Sequence, residues 1–468
     1  MELLMYMADS IYITPTDDTI VAPATTPGTS AIAVIRISGK ETFNMVNTLF
    51  KAKDLTKQAT HTIHFGTLRE GNTILDEVLV SIFKAPNSFT KEDVIEISCH
   101  GSDFIVRKII QALLKQGARL ARPGEFTKRA FLNGRFDLTQ AEAVADLIHS
   151  DSEASHIAAI HQMRGGISNE IKNLREKLIH FASMIELELD FGEEDVEFAD
   201  RADLQKLITE IQKVLSSLIE SFDVGNAIKN GVPTVIAGKP NAGKSTLLNV
   251  LLNEDKAIVS AIPGTTRDAI EDEVMIEGVR FRIIDTAGLR ETTDTVEAIG
   301  VSRTRDKMKQ ASLIIYLFDA ATTNPYDLEK ELQEIAQLNI PFIVVANKSD
   351  QLLPSSAIYQ WPESSQLIYI SAANKLNIEE LKSRMLKEVK AEKFVTGNTL
   401  ITNIRHYESL RQTYQALQTV LTSINTGLSG DLLALDIRSA LYHLGEITGE
   451  ITTDDLLATI FSKFCIGK

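Results

Sequence analysis

The sequence predicts a multidomain α/β and α protein: an N-terminal α+β domain, a discontinuous helical bundle, and a doubly wound, Ras-like α/β domain inserted into that bundle. Three observations carry this. A phosphate-loop signature, Gly238-Lys-Pro-Asn-Ala-Gly-Lys-Ser245, follows an apolar run and precedes an apolar-periodic helix. Alternating strand and helix patterns surround it, as in a doubly wound sheet. Helical periodicity appears before about Gly225 and resumes after about Ile401. A bundle interrupted by an inserted domain is the simplest arrangement, since insertion is tolerated where a host's chain ends lie close together.

Length and composition fit this. The 468 residues suffice for roughly three domains. Hydrophobic residues make up 44% and charged residues 24%, an ordinary globular balance. No apolar run approaches the roughly 20 residues that span a bilayer, and Met1 to Ser10 has an acid but no base before its apolar residues, unlike a signal peptide. Cys99 and Cys465 are too few for a disulfide framework, so a cytoplasmic location is expected. With a net charge of −15, contact with nucleic acid requires a local basic patch.

In chain order, residues 1–16 are an unpatterned lead-in. Strands are expected at Ala31–Ile37, His61–Leu68, Glu77–Phe83 and Val94–Cys99, with helices from about Glu41 to Phe50 and from Ser102 to Gln116, the latter closed by Gly117. Residues 121–135 read as a turn-rich, basic exit. Helical patterning follows from Leu138. Ile171, Leu174, Leu178, Phe181 and Ile185 recur at spacings of 3, 4, 3 and 4. A second seam is expected at Leu204, Leu207, Ile211, Val214, Leu218 and Phe222, after the acidic stretch Gly192–Asp195. The insert's strands fit Arg280–Ile284, Leu313–Phe318, Phe342–Ala346 and Leu367–Ile370. Its last helix starts near Asn377, with Glu380 at capping-box spacing. The boundaries are then 1–133, 134–230, 231–392 and 393–468.

The chemistry centres on the insert. Glycines let backbone N–H groups turn inward around a phosphate, and the following helix adds its positive N-terminal end. Lys244 can reach the outer phosphates and Ser245 can ligate Mg2+. Further on, Thr266 in Gly264-Thr-Thr266 can add a second Mg2+ ligand. In Asp285-Thr-Ala-Gly288 the Asp stands in the ion's outer shell and the Gly amide meets the γ-phosphate. In Asn347-Lys-Ser-Asp350 the last carboxylate can accept from both N1–H and the amino group of guanine, a donor pair that adenine lacks. Ser371-Ala372 offers a backbone amide to the guanine carbonyl. Five such segments in order indicate GTP rather than ATP. Ras-type switches place a water-orienting Gln after the DxxG segment, but Leu289 stands here, and Arg267 and Arg290 are only candidate arginine fingers. Asn241 reads either as a turn residue or as an amide oxygen suited to a monovalent cation near the phosphates.

Together with Pro263-Gly-Thr-Thr-Arg-Asp268, Asp285-Thr-Ala-Gly-Leu-Arg-Glu291 and the terminal Phe464-Cys-Ile-Gly-Lys468, the phosphate loop resembles the MnmE (TrmE) family of tRNA-modification GTPases. The likeness covers nearly the whole chain from about Thr19. It includes Pro86-Asn-Ser-Phe-Thr90, Arg122-Pro-Gly-Glu-Phe126 and Leu138-Thr-Gln-Ala-Glu-Ala143. The resemblance implies a folate-binding N-terminal domain that makes a homodimer. It implies GTP hydrolysis when K+ brings the G domains together. It also implies an FAD-dependent partner, MnmG (GidA), in a heterotetramer-like complex that adds an aminomethyl or carboxymethylaminomethyl group at C5 of the wobble uridine of certain tRNAs. The carbon would come from a tetrahydrofolate derivative (5-formyl or 5,10-methylene).

Carried over by motif, Asn241, Ser260, Ile262 and Thr265 would ligate K+, and Ser245 and Thr266 would ligate Mg2+. The GTP-contacting set would be Asn241, Ala242, Gly243, Lys244, Ser245 and Thr246; Ser260, Ala261, Ile262, Pro263, Gly264, Thr265 and Thr266; Asp285, Thr286, Ala287 and Gly288; Asn347, Lys348 and Asp350; and Ser371 and Ala372. Glu297, on its own a solvated switch-loop acid, would orient the attacking water. Arg36, Glu96, Arg135 and Lys468 would line the folate site. Lys244, Glu297 and Cys465 are the candidate catalytic residues, Cys465 reading equally as a packed or idle thiol. Two features depart from the family: the segment Pro27-Gly-Thr-Ser-Ala-Ile-Ala33 replaces a more glycine-rich turn, and Arg135 stands where Lys is frequent. Cys99 and His100 read as packing and turn residues rather than metal ligands. The alternative from another class is a GTP-timed ribosome or RNA assembly factor with no base chemistry.

Overall fold

The computed structural model describes residues 18–190, 201–255, 272–284, 308–352, 367–389, 399–426, 430–465 and 467. They fall into two compact units, 1–149 with 160–212 and 409–468, and 150–159 with 213–408.

The first unit opens with β1 (Ile20–Pro23), β2 (Ser30–Ser38), α1 (Thr42–Leu49), β3 (Thr62–Glu70), β4 (Thr73–Phe83), β5 (Val94–Gly101), α2 (Asp103–Lys115), β6 (Arg119–Leu120) and α3 (Glu125–Leu132). The strands form one sheet in the order β3-β4-β5-β2-β1-β6. Alternation sets its faces. Val78, Val80 and Ile82 of β4 and Ile95, Ile97 and Cys99 of β5 point inward with Ile35 and Ile37, beneath residues of α1 and α2. The opposite face carries Arg36 and Glu96, register partners on β2 and β5. Four-residue β1 and the helix α3 escape sequence reading: β1 pairs β2 antiparallel and β6 parallel, and α3 lies inside the segment expected to be a turn-rich exit.

Helices follow: α4 (Leu138–His149), α5 (Glu153–Met163), α6 (Gly166–Asp190), α7 (Arg201–Glu220) and α8 (Phe222–Asn230). In α6 the expected seam is buried at Ile171, Leu174, Leu178 and Ile185. In α7 the expected seam is buried at Leu204, Ile211 and Leu218, but at two positions a neighbour takes the inward place: Ile208 and Leu215 are fully buried, whereas Val214 is 36% exposed. Leu207-Ile208 and Val214-Leu215 are both apolar pairs, so spacing alone could not choose between neighbours.

The second unit contains β7 (Val232–Ala237), α9 (Lys244–Asp255), β8 (Asp272–Ile276), β9 (Val279–Ile283), β10 (Leu313–Asp319), α10 (Pro325–Ala336), β11 (Phe342–Asn347), β12 (Leu367–Tyr369) and α11 (Ile378–Glu388). Its sheet runs β12-β11-β10-β7-β9-β8, parallel except for β8 against β9. Apolar clusters cover both faces, which explains the near-continuous apolar runs of β10 and β11. The capping box expected at Asn377 does not form. Asn377 has φ +57°, and its side-chain amide donates to the Tyr369 carbonyl at 2.8 Å.

The chain ends in α12 (Ile404–Asn425), α13 (Gly430–Thr448) and α14 (Asp454–Phe461). Within the first unit, Leu457, Phe461 and Phe464 pack on Leu138 and Ala141 of α4. Arg175 of α6 donates to the Leu441 carbonyl of α13 at 2.8 Å and pairs with Glu450 at 2.7 Å. The class is therefore the expected one: an α+β N-terminal domain, helical-bundle segments, and a doubly wound sheet between them in sequence.

Candidate functional site

The phosphate loop joins the carboxyl end of β7 to the first turn of α9. Gly238 has φ +143° and Gly243 φ +97°. A Cβ on Gly238 would meet the Leu317 carbonyl, and one on Gly243 would meet the Asn347 side-chain amide, so both positions require glycine. Asn241, at φ +63°, takes the left-handed corner of the loop with its side chain exposed. That fits the turn reading and also leaves the amide oxygen accessible. Lys244 Nζ lies 2.8 Å from the carbonyl oxygens of both Gly238 and Lys239, so a positive charge spans the loop. Burial lowers its pKa below the ordinary lysine value. Ser245 opens α9 beside it, and Thr246 is exposed. Lys239 is held outward, 3.0 Å from Glu331 of α10.

The base-recognition segments meet this loop through one side chain. Asn347, at the end of β11 and 3% exposed, donates from Nδ2 to the Ala242 carbonyl at 2.8 Å and accepts at Oδ1 from the Ala372 N–H at 3.0 Å. The amide of Ala372, expected at the guanine carbonyl, is thus engaged in the loop-to-loop bond. Ser371 is fully buried, its backbone bridged to Leu376. Lys348, at φ +60°, pairs with Asp319 at 2.7 Å. Burial opposes charge on the Asp319 carboxyl, but the Lys348 and Ala321 hydrogen bonds and the Lys348 charge outweigh it and lower its pKa. Asp350 is exposed in the short 3-10 turn Ser349–Gln351. The pairings of Asp319 and Lys239 carried no sequence signal.

Other expected nucleotide and cation residues, Ser260, Ala261, Ile262, Pro263, Gly264, Thr265, Thr266, Asp285, Thr286, Ala287, Gly288 and Glu297, lie outside the described residues, as does Lys468.

In the first unit, Arg36 and Glu96 are brought together. Arg36 Nε and Nη2 each lie 2.8 Å from Glu96 Oε1, and Nη1 donates to the Gly467 carbonyl at 3.1 Å. The guanidinium stands over Phe89 and Phe126, 5.5 and 5.7 Å from the ring centroids. Arg135 shares Phe89 at 5.4 Å, stacks on Phe136 at 5.2 Å and donates to the Ser88 carbonyl. Two guanidinium groups thus flank one aromatic ring. Phe89 sits in a recognised motif, but nothing in its spacing revealed this role. Cys465 is exposed, and its carbonyl accepts from the Gly124 N–H at 3.4 Å. Cys99 is buried, donates to the Ala33 carbonyl at 3.6 Å, and has its thiol pKa pushed up to about 11, chiefly by burial. No group of three or more His, Cys, Asp or Glu side chains among the described residues could hold a metal ion.

Two family models match: the GTP-binding protein TrmE N-terminus over residues 19–135 and the MnmE helical domain over 138–465. The chain belongs to the MnmE family. It is 61% identical to the tRNA modification GTPase MnmE of Cytophaga hutchinsonii, over 97% of this chain and 99% of that one. The corresponding protein of Flavobacterium johnsoniae is 55% identical over 96% and 99%. That of Bacteroides thetaiotaomicron is 48% identical over 96% and 99%. MnmE membership agrees with the resemblance drawn from the motifs. No described helix is long and apolar enough to cross a membrane.

Proposed function

We propose that this protein hydrolyses GTP in tRNA modification, as the K+-activated GTPase half of an enzyme completed by an FAD-dependent MnmG partner. The product is the aminomethyl or carboxymethylaminomethyl group at C5 of the wobble uridine, with carbon from a tetrahydrofolate derivative. The observation that carries the GTPase reading is the Asn347 side chain, which ties the phosphate loop to the base-recognition loop in one buried unit.

The roles follow from chemistry. The glycine cradle and the start of α9 receive the phosphates, and Lys244 offsets their charge. Ser245, with Thr266, would hold Mg2+, and the exposed amide of Asn241, with Ser260, Ile262 and Thr265, would hold K+. Bound there, these cations supply charge neutralisation at the phosphates. Glu297 orients the attacking water, and Asp350 selects guanine. Arg36, Glu96, Arg135 and Lys468 line the folate site, where Phe89 offers a flat apolar surface between two cations; Cys465 is assigned to the chemistry at its edge. A homodimer through the N-terminal domain is supported by the sheet face carrying Ile63, Phe65 and Leu79, which are 65%, 66% and 44% exposed, with Phe65 directly opposite Leu79. We place the domain boundaries at 1–133, 134–230, 231–392 and 393–468, and the protein in the cytoplasm.

The test is mass analysis of wobble nucleosides in tRNA from cells lacking this chain, with and without complementation. Loss of the modified uridine, restored by the gene, is expected. Unaltered nucleosides alongside a ribosome-assembly defect would support the assembly-factor alternative.

A further inference from the structure

Asp319 lies in none of the sequence motifs, yet it touches the base-recognition segment. It ends β10, in register with Asn347 at the end of β11. The two strand ends are tied by the Ala320 N–H, which donates to the Asn347 carbonyl at 2.9 Å. Both carboxylate oxygens of Asp319 have a fixed partner. Oδ1 accepts from the Ala321 N–H at 2.9 Å, closing a turn within its own loop, and Oδ2 accepts from Lys348 Nζ at 2.7 Å. With its side chain only 14% exposed, Asp319 has little room to turn either oxygen elsewhere.

Lys348 is the residue so held. Its φ of +60° lies in the left-handed region, which a lysine keeps only where its surroundings over-determine it. The backbone after it is pinned: the Ser349 N–H donates to the Ile370 carbonyl at 3.0 Å, and the Gln351 N–H to the Lys348 carbonyl at 2.9 Å. The ammonium, at the end of four flexible carbons, is the part of the turn that the backbone leaves unfixed, and Asp319 fixes it. Two residues on, Asp350 is exposed, and no ion pair with a described residue engages its carboxylate. Opposite charges two residues apart in a tight turn attract, and a carboxylate turned to an ammonium is lost to a base.

We propose that Asp319 is a positioning residue for base selection: it holds the Lys348 ammonium at the end of β10, so that the Asp350 carboxylate stays unpaired for the N1–H and amino group of guanine. The inference rests on the assignment of Asp350 to guanine made above.

The experiment measures affinities of the purified full chain for GDP and for IDP, whose base keeps N1–H but lacks the amino group. Their ratio reports the bonds made to the amino group rather than nucleotide binding as a whole. Asp319→Asn and Asp319→Ser each keep an oxygen for the Ala321 N–H and lose the charge that holds Lys348. Either should lower the GDP-to-IDP ratio by roughly threefold or more, the scale of a partly exposed ion pair, with circular dichroism as the check of folding. Raising choline chloride to about 1 M should restore much of the ratio in these variants, because an exposed Lys348–Asp350 attraction is screened. In a Lys348→Gln background, Asp319→Asn should change the ratio no further, since both act through one ammonium. A merely structural role would weaken GDP and IDP alike. A parental ratio in Asp319→Asn and Asp319→Ser therefore overturns the inference, as does a further fall in the Lys348→Gln background. A parent protein that binds GDP and IDP equally overturns the guanine assignment itself, and this inference with it.

Discussion

Removing the Asn347 side chain is the most direct perturbation of the nucleotide site. In Asn347→Ala the Ala242 carbonyl loses its 2.8 Å donor and the Ala372 N–H its 3.0 Å acceptor, both in residues at most 2% exposed. Each buried backbone group left unpaired costs about 1–3 kcal/mol, so the pair together cost about 2–6 kcal/mol. The cost divides between stability and binding. The loop carbonyl and the base-recognition amide can both move to find water, and that movement spoils the shape the nucleotide needs. If half the cost falls on binding, about 1–3 kcal/mol, GDP affinity drops by about fivefold to 10²-fold. Asn347→Asp separates packing from hydrogen bonding. It keeps the acceptor for Ala372 but sets a carboxylate oxygen against the Ala242 carbonyl, and it should bind at least as poorly as Asn347→Ala. The assay is titration with a fluorescent GDP analogue, with circular dichroism confirming that the variants fold. Affinities for both variants within about twofold of the parent would refute the reasoning, since the bridge would then carry no binding energy.

Three further outcomes are expected of the same domain. Asp350→Asn should shift preference from guanine to xanthine nucleotides, because the Asn amide donates where xanthine offers a carbonyl; unchanged GDP affinity contradicts the assignment. GTP turnover should be much faster in K+ than in Na+, and Asn241→Ala should weaken that dependence. Equal rates in the two salts at matched ionic strength would remove the cation from the proposal. Glu297→Ala should leave nucleotide affinity nearly intact yet slow hydrolysis by roughly 10²-fold or more; a parental rate returns Glu297 to a solvated surface acid.

What the sequence made legible was whatever repeats locally or recurs in a fixed order. β10 and β11 are apolar up to their last residues, Asp319 and Asn347, because both their faces are covered, and such runs need no context to be read. The phosphate loop was legible because strand, glycines and helix must be contiguous. The misses have a common cause. β1 has four residues and gains its order from β2 and β6 on either side, not from its own pattern. β8 was missed although it pairs with β9 across Glu277-Gly278, whose φ values of +45° and +79° mark a tight turn. In α7 the expected Leu204, Ile211 and Leu218 are buried, but two adjacent apolar pairs hid which member turns inward, and Ile208 and Leu215 do so. At Asn377 a residue with an ordinary capping signature found a better partner in the Tyr369 carbonyl. The folate candidates show the same limit in sharper form. Motif comparison could nominate Arg36 and Glu96 singly, but not that they spend their charge on each other, because register between strands is a tertiary fact. Nor could it assign a role to Gly467, whose reason for being glycine is the Pro23 carbonyl more than four hundred positions away in sequence. A glycine required by a neighbour distant in the chain looks, in sequence, like any other, and only the folded backbone shows which contact it protects.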